Sequence, residues 1–513
     1  MTAGHPPDRR PVIAVVGGGM AGLAAAWQLS QDLGPSGAGS PRVLVLEAGG
    51  RTGGKVRSAE FAGREVDVAA DAFLARRPEA TGLCTELGLS DALVAPGAAG
   101  ASLWARGRLR MMPAGMNLGV PTRWWPLARS GILDPVGSAR AAIDLVRPHR
   151  ADPGATGDAA VGAVVTARLG HEVTERLVDP LVGGIHAGGV DDLSAEATFA
   201  PLLEADRSSG SLMRRLRLPD PPPPDPSRPP APVFWSLEGT TARLPAELTA
   251  ALVARGVAVH TGVAVETLTR RPAERPSGGT WELTLAGDAS SVPGATGGAD
   301  SARTLAVDGV VLAVPAGQAA SLLAAHAPRA AAILGDIGHS SVSVVTLSVP
   351  SAAVRARLVG TGFLVPRTST VGGRTALITG CTYLSRKWPG LARPGDELIR
   401  LSVGRYGDER PDSLDDDELA AAAFDEASVI LGIGGRPLES LVTRWHGAFP
   451  QYTPGHLGRS DQVERAVAEL PGVAVAGSAL RGVGIPAVVG SGRAAALAVL
   501  ASLERARPAA PTR

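Results

Sequence analysis

PVIAVVGGGMAGLAAAWQLS (residues 11–30), followed by RVLVLEAGGRTGGKV (residues 42–56), decides the fold of this 513-residue chain. The apolar run before Gly17 reads as a short buried strand entering a glycine-rich turn. The Ala-rich stretch after it has helical periodicity, and RVLVLEA reads as a second buried strand. Strand, helix and strand in this order form a βαβ unit, the opening of a doubly wound domain. Gly17, Gly19 and Gly22 supply a GxGxxG spacing in the turn, and Glu47 ends the second strand. Dinucleotide binding requires this arrangement: glycine lets the backbone approach a pyrophosphate, the helix N-terminus favours its charge, and the acid accepts from a ribose. The glycine-to-acid spacing exceeds the usual ~20 residues, and a loop insertion, PSGAGSP at 35–41, accounts for the excess.

The length allows two or three domains and a large core. Hydrophobic residues make up 45% of the chain, while 65 Gly and 42 Pro point to many turns. Formal net charge is +1, and of 50 basic residues only Lys55 and Lys387 are lysines. That balance excludes a bulk electrostatic nucleic-acid binder, so any anion site must be local. Cys84 and Cys381 lie far apart with no metal-ligand spacing, and a reducing cytosol is the simpler setting. Residues 1–10 lack an apolar leader, and no window approaches the ~18 uninterrupted apolar residues of a bilayer span. A cytoplasmic protein, at most peripheral at a membrane, is expected.

Along the chain, residues 1–77 hold the first part of the nucleotide fold. Residues 78–220 read as a helical insertion, and the proline-rich run 219–232 as a loop or linker. Residues 233–330 return to the nucleotide fold with a helix and four strands, with 286–302 as a polar hairpin tip. Residues 331–445 alternate short strands that suit a roof over a substrate pocket. Residues 446–513 close the nucleotide fold with a strand, a Gly-rich loop and a long helix.

The continuation EAGGRTGGKVRS, with Arg51, Gly53 and Gly54 after the acid, resembles the extended dinucleotide motif of flavin amine oxidases, carotene desaturases and protoporphyrinogen oxidases. The C-terminal GSALRGVGIPAVVGSGRAAA, with Gly482 and Gly484 before a helix, is also flavin-like, and a helix N-terminus there would favour an anionic reduced ring. The resemblance implies an α/β fold: a glutathione-reductase-type, Rossmann-like FAD-binding domain with an α+β substrate domain and a helical insertion. The cofactor implied is FAD and no metal. The candidate contacts are Gly17, Gly18, Gly19, Met20, Ala21, Gly22, Glu47, Ala48, Arg51, Gly53, Gly54, Lys55, Ala69, Ala70, Asp71, Ala72, Val265, Ser478, Val483, Gly484 and Ile485.

Five further segments, LARRPEATGLCTELGL, GRLRMMPAG, LGHEVTERLVDPLVGGIHAGGVDDLS, GVVLAVPA and WHGAFPQYTPGH, are together similar to bacterial protoporphyrinogen/coproporphyrinogen oxidases over almost the whole length. The sequence looks like a high-GC, Gram-positive type, for which the resemblance favours the coproporphyrinogen III oxidase variant. The resemblance implies oxidation of a porphyrinogen in three two-electron steps, with O2 reduced to H2O2 and a ferrochelatase or another haem-pathway protein as a candidate partner. It names no general base. Propionate recognition favours arginine. Arg76 is the first candidate and Arg77 the second, against a plain solvated role. Arg106, Arg108 and Arg110 alternate as on one strand face, serving propionates, a partner, a membrane or only solvent. Trp124 and Trp125 with flanking arginines suit either a membrane interface or a core-facing loop. His186 and His446 read as structural or pocket-lining. Protoporphyrinogen IX oxidation, amine or carotenoid oxidation, and a non-catalytic flavin carrier are the competing readings. With three tyrosines in the chain, an aromatic amine cage is the less natural of these.

Overall fold

Ile13, Ala14, Val15 and Val16 are at most 4% exposed and form the centre of strand β1 (Val12–Val16). Side chains leave a strand on alternate faces, and here both faces are covered. Ile13 and Val15 enter one core with helix α1 (Met20–Gln31), while Ala14 and Val16 enter another with Leu44 and Leu46. A strand buried on both sides carries an unbroken apolar run, which is why PVIAVV shows no alternation.

The computed structural model describes residues 10–31, 41–146, 157–219, 232–271, 280–297 and 303–506. The expected loop at 35–40, all but the ends of the proline-rich run, residues 298–302 of the expected hairpin tip and residues 1–9 lie outside the described residues. β1 is the middle strand of a five-stranded parallel sheet ordered Ala258–Thr261, β2 (Arg42–Glu47), β1, Gly309–Leu312 and Val473–Val475. Three distant stretches of sequence therefore build one sheet. Val263–Arg270 follows Ala258–Thr261 directly but pairs elsewhere, in an antiparallel three-stranded sheet with Trp281–Gly287 and Arg303–Val307.

The C-terminal helix Ile485–Ala506 is long and apolar enough to cross a membrane by length and composition, although Ser491 and Arg493 interrupt its apolar run. Its apolar residues serve packing: Val489, Ala495, Ala496 and Val499 join the core under α1, and a Cβ on Gly492 would lie 2.0 Å from the Ala21 carbonyl oxygen.

A seven-stranded sheet is ordered Glu439–Pro450, His339–Pro350, Asp396–Val403, Ile378–Tyr383, Gly362–Leu364, Ser102–Ala105 and Arg108–Met111. The last two strands come from the stretch expected to be a helical insertion. Arg106 is not on a strand face with Arg108 and Arg110, because it occupies the hairpin turn at φ +55°. Elsewhere that stretch is helical, including Pro78–Glu86, Pro135–Val146 and Val161–Leu169. Thr174–Gly183 runs as a π-helix. Such widened turns are rare and are frequently found at functional sites.

Candidate active site

One cavity of about 860 Å³ lies where the parallel sheet, the seven-stranded sheet and the π-helical segment meet. This is near the upper end of the range for small-molecule sites. One half is lined by Gly17, Gly19, Met20, Ala21, Glu47, Ala48, Gly53, Gly54, Lys55, Ala69 to Ala72, Val265, Ser478, Val483, Gly484 and Ile485. The structure brings all of these predicted residues together although they span the whole chain.

Local geometry explains the glycines. Gly17 has φ +104°, and a Cβ there would lie 2.4 Å from the Ala313 carbonyl oxygen. At Gly19 a Cβ would meet nothing within 4 Å, because that face opens on the cavity at the start of α1. This cradle of bare backbone at a helix N-terminus fits a pyrophosphate. Glu47 lines the cavity while accepting from the Gly18 amide at 2.6 Å and the Gly49 amide at 2.7 Å, which fixes the carboxylate for a ribose. The first turn of the C-terminal helix, at Ile485, also faces the cavity. The residues present fit FAD.

Three predicted contacts lie elsewhere. The Gly18 amide is spent on Glu47. At Gly22 a Cβ would lie 1.8 Å from the Gly17 carbonyl oxygen, so this glycine allows the helix to pack on the turn. Arg51 folds back to donate to the Thr52 and Gly54 carbonyls at 3.0 and 2.8 Å, bracing the second glycine pair. Arg76 and Arg77 are not brought to the cavity: both are exposed, and Arg77 pairs with Glu79 at 3.1 Å. Helix Pro78–Glu86 starts there and carries them outward.

The other half of the cavity is lined by Asp179, Gly183, Ile185, Gly188, His339, Val342, Val344, Val365, Arg400, Arg405, Trp445 and Phe449. Both segments most similar to the porphyrinogen oxidases, VDPLVGGIHAG and RWHGAFPQYTPGH, reach this chamber. On strand Glu439–Pro450, Trp445 faces the cavity and its indole donates to the Val68 carbonyl at 3.0 Å, whereas His446 is exposed. Tyr452 donates to the Ser478 carbonyl, and His456, stacked on it at 4.1 Å, bonds the Leu480 carbonyl at 2.9 Å. Together they brace the loop that precedes the C-terminal helix. His186 is buried beside Tyr452, and burial pushes its imidazole down to about 4. It is a neutral structural residue. Trp124 bonds the Ser138 carbonyl at 2.9 Å, while Trp125 is 61% exposed.

Reading the sequence did not single out Arg367, Arg400, Arg405 or His339, since an isolated Arg or His carries no spacing signal. Arg400 donates to the Asp67 and Ala69 carbonyls at 3.2 and 3.1 Å and pairs with Asp71 at 3.2 Å. Lys387 also donates to both Asp71 oxygens at 2.9 Å. Burial alone would raise Asp71, but these two cations hold it well below the usual carboxylate range. Burial, with Asp71 nearby, pushes Asp67 up to about 7 against the bonds it accepts from Thr241. At His339, Nδ1 meets the Ile337 carbonyl at 2.8 Å. A carbonyl only accepts, so Nδ1 carries the proton. Burial, with Lys55 nearby, lowers this imidazole and leaves Nε2 an acceptor. Lys55 is itself lowered by desolvation.

The pattern of flavin-containing amine oxidoreductases matches residues 20–500, spanning both halves of this cavity. The chain belongs to that family. Its flavin cofactor is FAD, which the residues of the glycine-lined half fit. This flavoenzyme is 35% identical to a coproporphyrinogen III oxidase of Propionibacterium freudenreichii over 98% of this chain and 93% of that one. Against a coproporphyrinogen III oxidase of Bacillus subtilis the figures are 31%, 95% and 97%. A solved structure of a proposed protoporphyrinogen oxidase from Exiguobacterium superposes with a TM-score of 0.79 at 27% identity, covering 97% of this chain and 99% of that one.

Proposed function

We propose that this flavoenzyme oxidises coproporphyrinogen III to coproporphyrin III in haem biosynthesis, removing six electrons while three O2 become three H2O2. The carrying observation is the continuity of the cavity: the dinucleotide half opens into a chamber with apolar walls and arginines, the chemistry of a macrocycle bearing carboxylates. The full-length similarity to coproporphyrinogen III oxidases supports the same reading. When bound, FAD supplies the two-electron acceptor of each oxidation and the route to O2.

The protein's part is binding, orientation and proton handling. The Gly17–Ala21 turn would hold the pyrophosphate and Glu47 the ribose, and the helix N-terminus at Ile485 would favour negative charge on the reduced flavin. Val342, Val344, Val365 and Phe449 exclude water from the macrocycle face. Each two-electron step also releases a proton, which His339 takes on Nε2. The cofactor contacts are the predicted residues that line the cavity, and Arg76 and Arg77 are not among the substrate contacts.

We place residues 1–77, 233–330 and 446–513 in a glutathione-reductase-type FAD domain, 78–220 in the insertion and 331–445 in the substrate domain, with hairpin Ser102–Met111 joining the latter's sheet. Both cysteines are free and buried, which suits a cytoplasmic setting. Val136, Ile143 and Val146 share an exposed helix face; in this reading a peripheral membrane or a ferrochelatase-like partner would meet that face.

None of the three tyrosines lines the cavity, which disfavours an amine cage. Protoporphyrinogen IX stays as the competing substrate. Porphyrin fluorescence from freshly reduced coproporphyrinogen III and protoporphyrinogen IX, corrected for autoxidation, separates them. A higher kcat/KM for coproporphyrinogen is expected, and a preference for protoporphyrinogen would reverse the assignment.

A further inference from the structure

We propose that Arg405 is a carboxylate receptor in the substrate chamber, binding one propionate of the porphyrinogen. Arg405 follows strand Asp396–Val403 and lines the cavity together with Asp179, Gly183 and Gly188. The next residue, Tyr406, donates its amide to the Ala187 carbonyl at 2.7 Å, pinning this loop to the end of the π-helical wall. The base of the side chain is therefore fixed from two sides.

The charges around it do not cancel. The two acids that act on Arg405 are Asp179 and Asp408. Asp179 already accepts from Arg367 at 3.2 Å and from the Val190 amide at 3.2 Å. Asp408 is held by Arg410 through bonds of 2.8 and 2.6 Å. Each acid is thus committed to another arginine, and Arg405 is the surplus cation. Among the described residues its guanidinium has no hydrogen-bond or ion-pair partner, although it is partly desolvated. A desolvated charge without a partner is costly, and an incoming anion removes that cost. A planar guanidinium fork matches a carboxylate through two parallel hydrogen bonds. Ile185, Val365, Val403 and Phe449 line the same chamber and suit the apolar body of the ligand.

The inference rests on the porphyrinogen reading for the identity of the anion, and a binding experiment separates the two. Holoenzyme, Arg405→Ala and Arg405→Lys are titrated with coproporphyrin III and with its tetramethyl ester in detergent, following porphyrin fluorescence, and KM and kcat are measured in parallel. Loss of a charge-assisted carboxylate contact should raise the coproporphyrin Kd, and KM, by about ten- to a hundredfold in Arg405→Ala. The flavin content should be unchanged, kcat should change less than KM, and Arg405→Lys should recover part of the affinity. Ester binding should not distinguish Arg405→Ala from the parent. Equal coproporphyrin affinity in parent and Arg405→Ala, or equal loss for acid and ester, would overturn the proposal. So would a parent enzyme that does not bind coproporphyrin. Absence of turnover with the binding difference intact would overturn the reaction and leave the subsite standing.

Discussion

His339 shows how much a side chain's role depends on groups far from it in sequence. The Ile337 carbonyl fixes its proton on Nδ1, and burial near Lys55 keeps the ring neutral. The base form persists above a pKa lowered from the ordinary 6.5. If His339 takes the released proton, kcat should fall as pH drops through that lowered value and should be flat above it. His339→Gln should lose about a hundredfold in kcat at neutral pH, the lower end of the usual range for general-base removal. It should also lose the acid limb while retaining flavin. A His339→Gln profile that keeps the parent's acid limb would remove this residue from proton transfer. The sequence made Gly17, Gly19 and Glu47 legible because their chemistry is written in local spacing. It could not reveal His339 or Arg405, whose surroundings are assembled only when the seven-stranded sheet closes on the cofactor half. Arg76 and Arg77 misled for the converse reason: DAFLA does approach the cavity, but the chain turns into a helix at Pro78 and takes both arginines to solvent.

At the scale of elements, the strand–turn–helix at β1 and α1 was readable because apolar run, glycine spacing and alanine helix agree. Two substitutions test that unit separately. Gly17→Ala puts a side chain at φ +104° and against the Ala313 carbonyl. It should destabilise the fold by at least about 1–3 kcal/mol and abolish flavin binding. A Cβ at Gly19 meets no neighbour within 4 Å and points into the cavity, so Gly19→Leu apoprotein should unfold within about 0.5 kcal/mol of the parent while failing to take up FAD. Thermal unfolding and flavin absorbance read both outcomes, and a Gly19→Leu protein that purifies fully yellow would contradict the pyrophosphate cradle. The π-helix at Thr174–Gly183 was not readable: HEVTERLVDPLVGG has helical periodicity, Pro180 within it signals a departure from regular helix but not its kind, and the widening shows only in backbone geometry. A strand around Arg108 and Arg110 was readable in their alternation, but the hairpin Ser102–Met111 and its sheet were not, because its partner, Gly362–Leu364, lies some 250 residues further along.

Across the whole molecule, the two halves of the cavity are joined by a buried polar staple. Arg400 and Lys387, from the substrate side, converge on Asp71 and on the carbonyls of Asp67 and Ala69, from the cofactor side. Arg400 is 8% exposed. Arg400→Met would leave Asp71 with only Lys387 and the Trp388 indole and would remove the donor to the Asp67 and Ala69 carbonyls, which should cost about 3–5 kcal/mol and release flavin at a lower temperature than in the parent. Unchanged melting and flavin release would show that the halves are held by apolar packing instead. The parallel sheet itself was legible from its three apolar runs, whereas the staple joins residues more than three hundred positions apart and has no local signature. The central claim is that the two halves work together, so that a porphyrinogen in the chamber gives its electrons to FAD in the cleft. The most direct test is anaerobic mixing of the yellow holoenzyme with excess coproporphyrinogen III while recording the visible flavin band. Rapid bleaching with appearance of porphyrin, and recovery of the band with H2O2 on admitting air, is the expected result; a flavin band that stays oxidised while the porphyrinogen persists would contradict the claim.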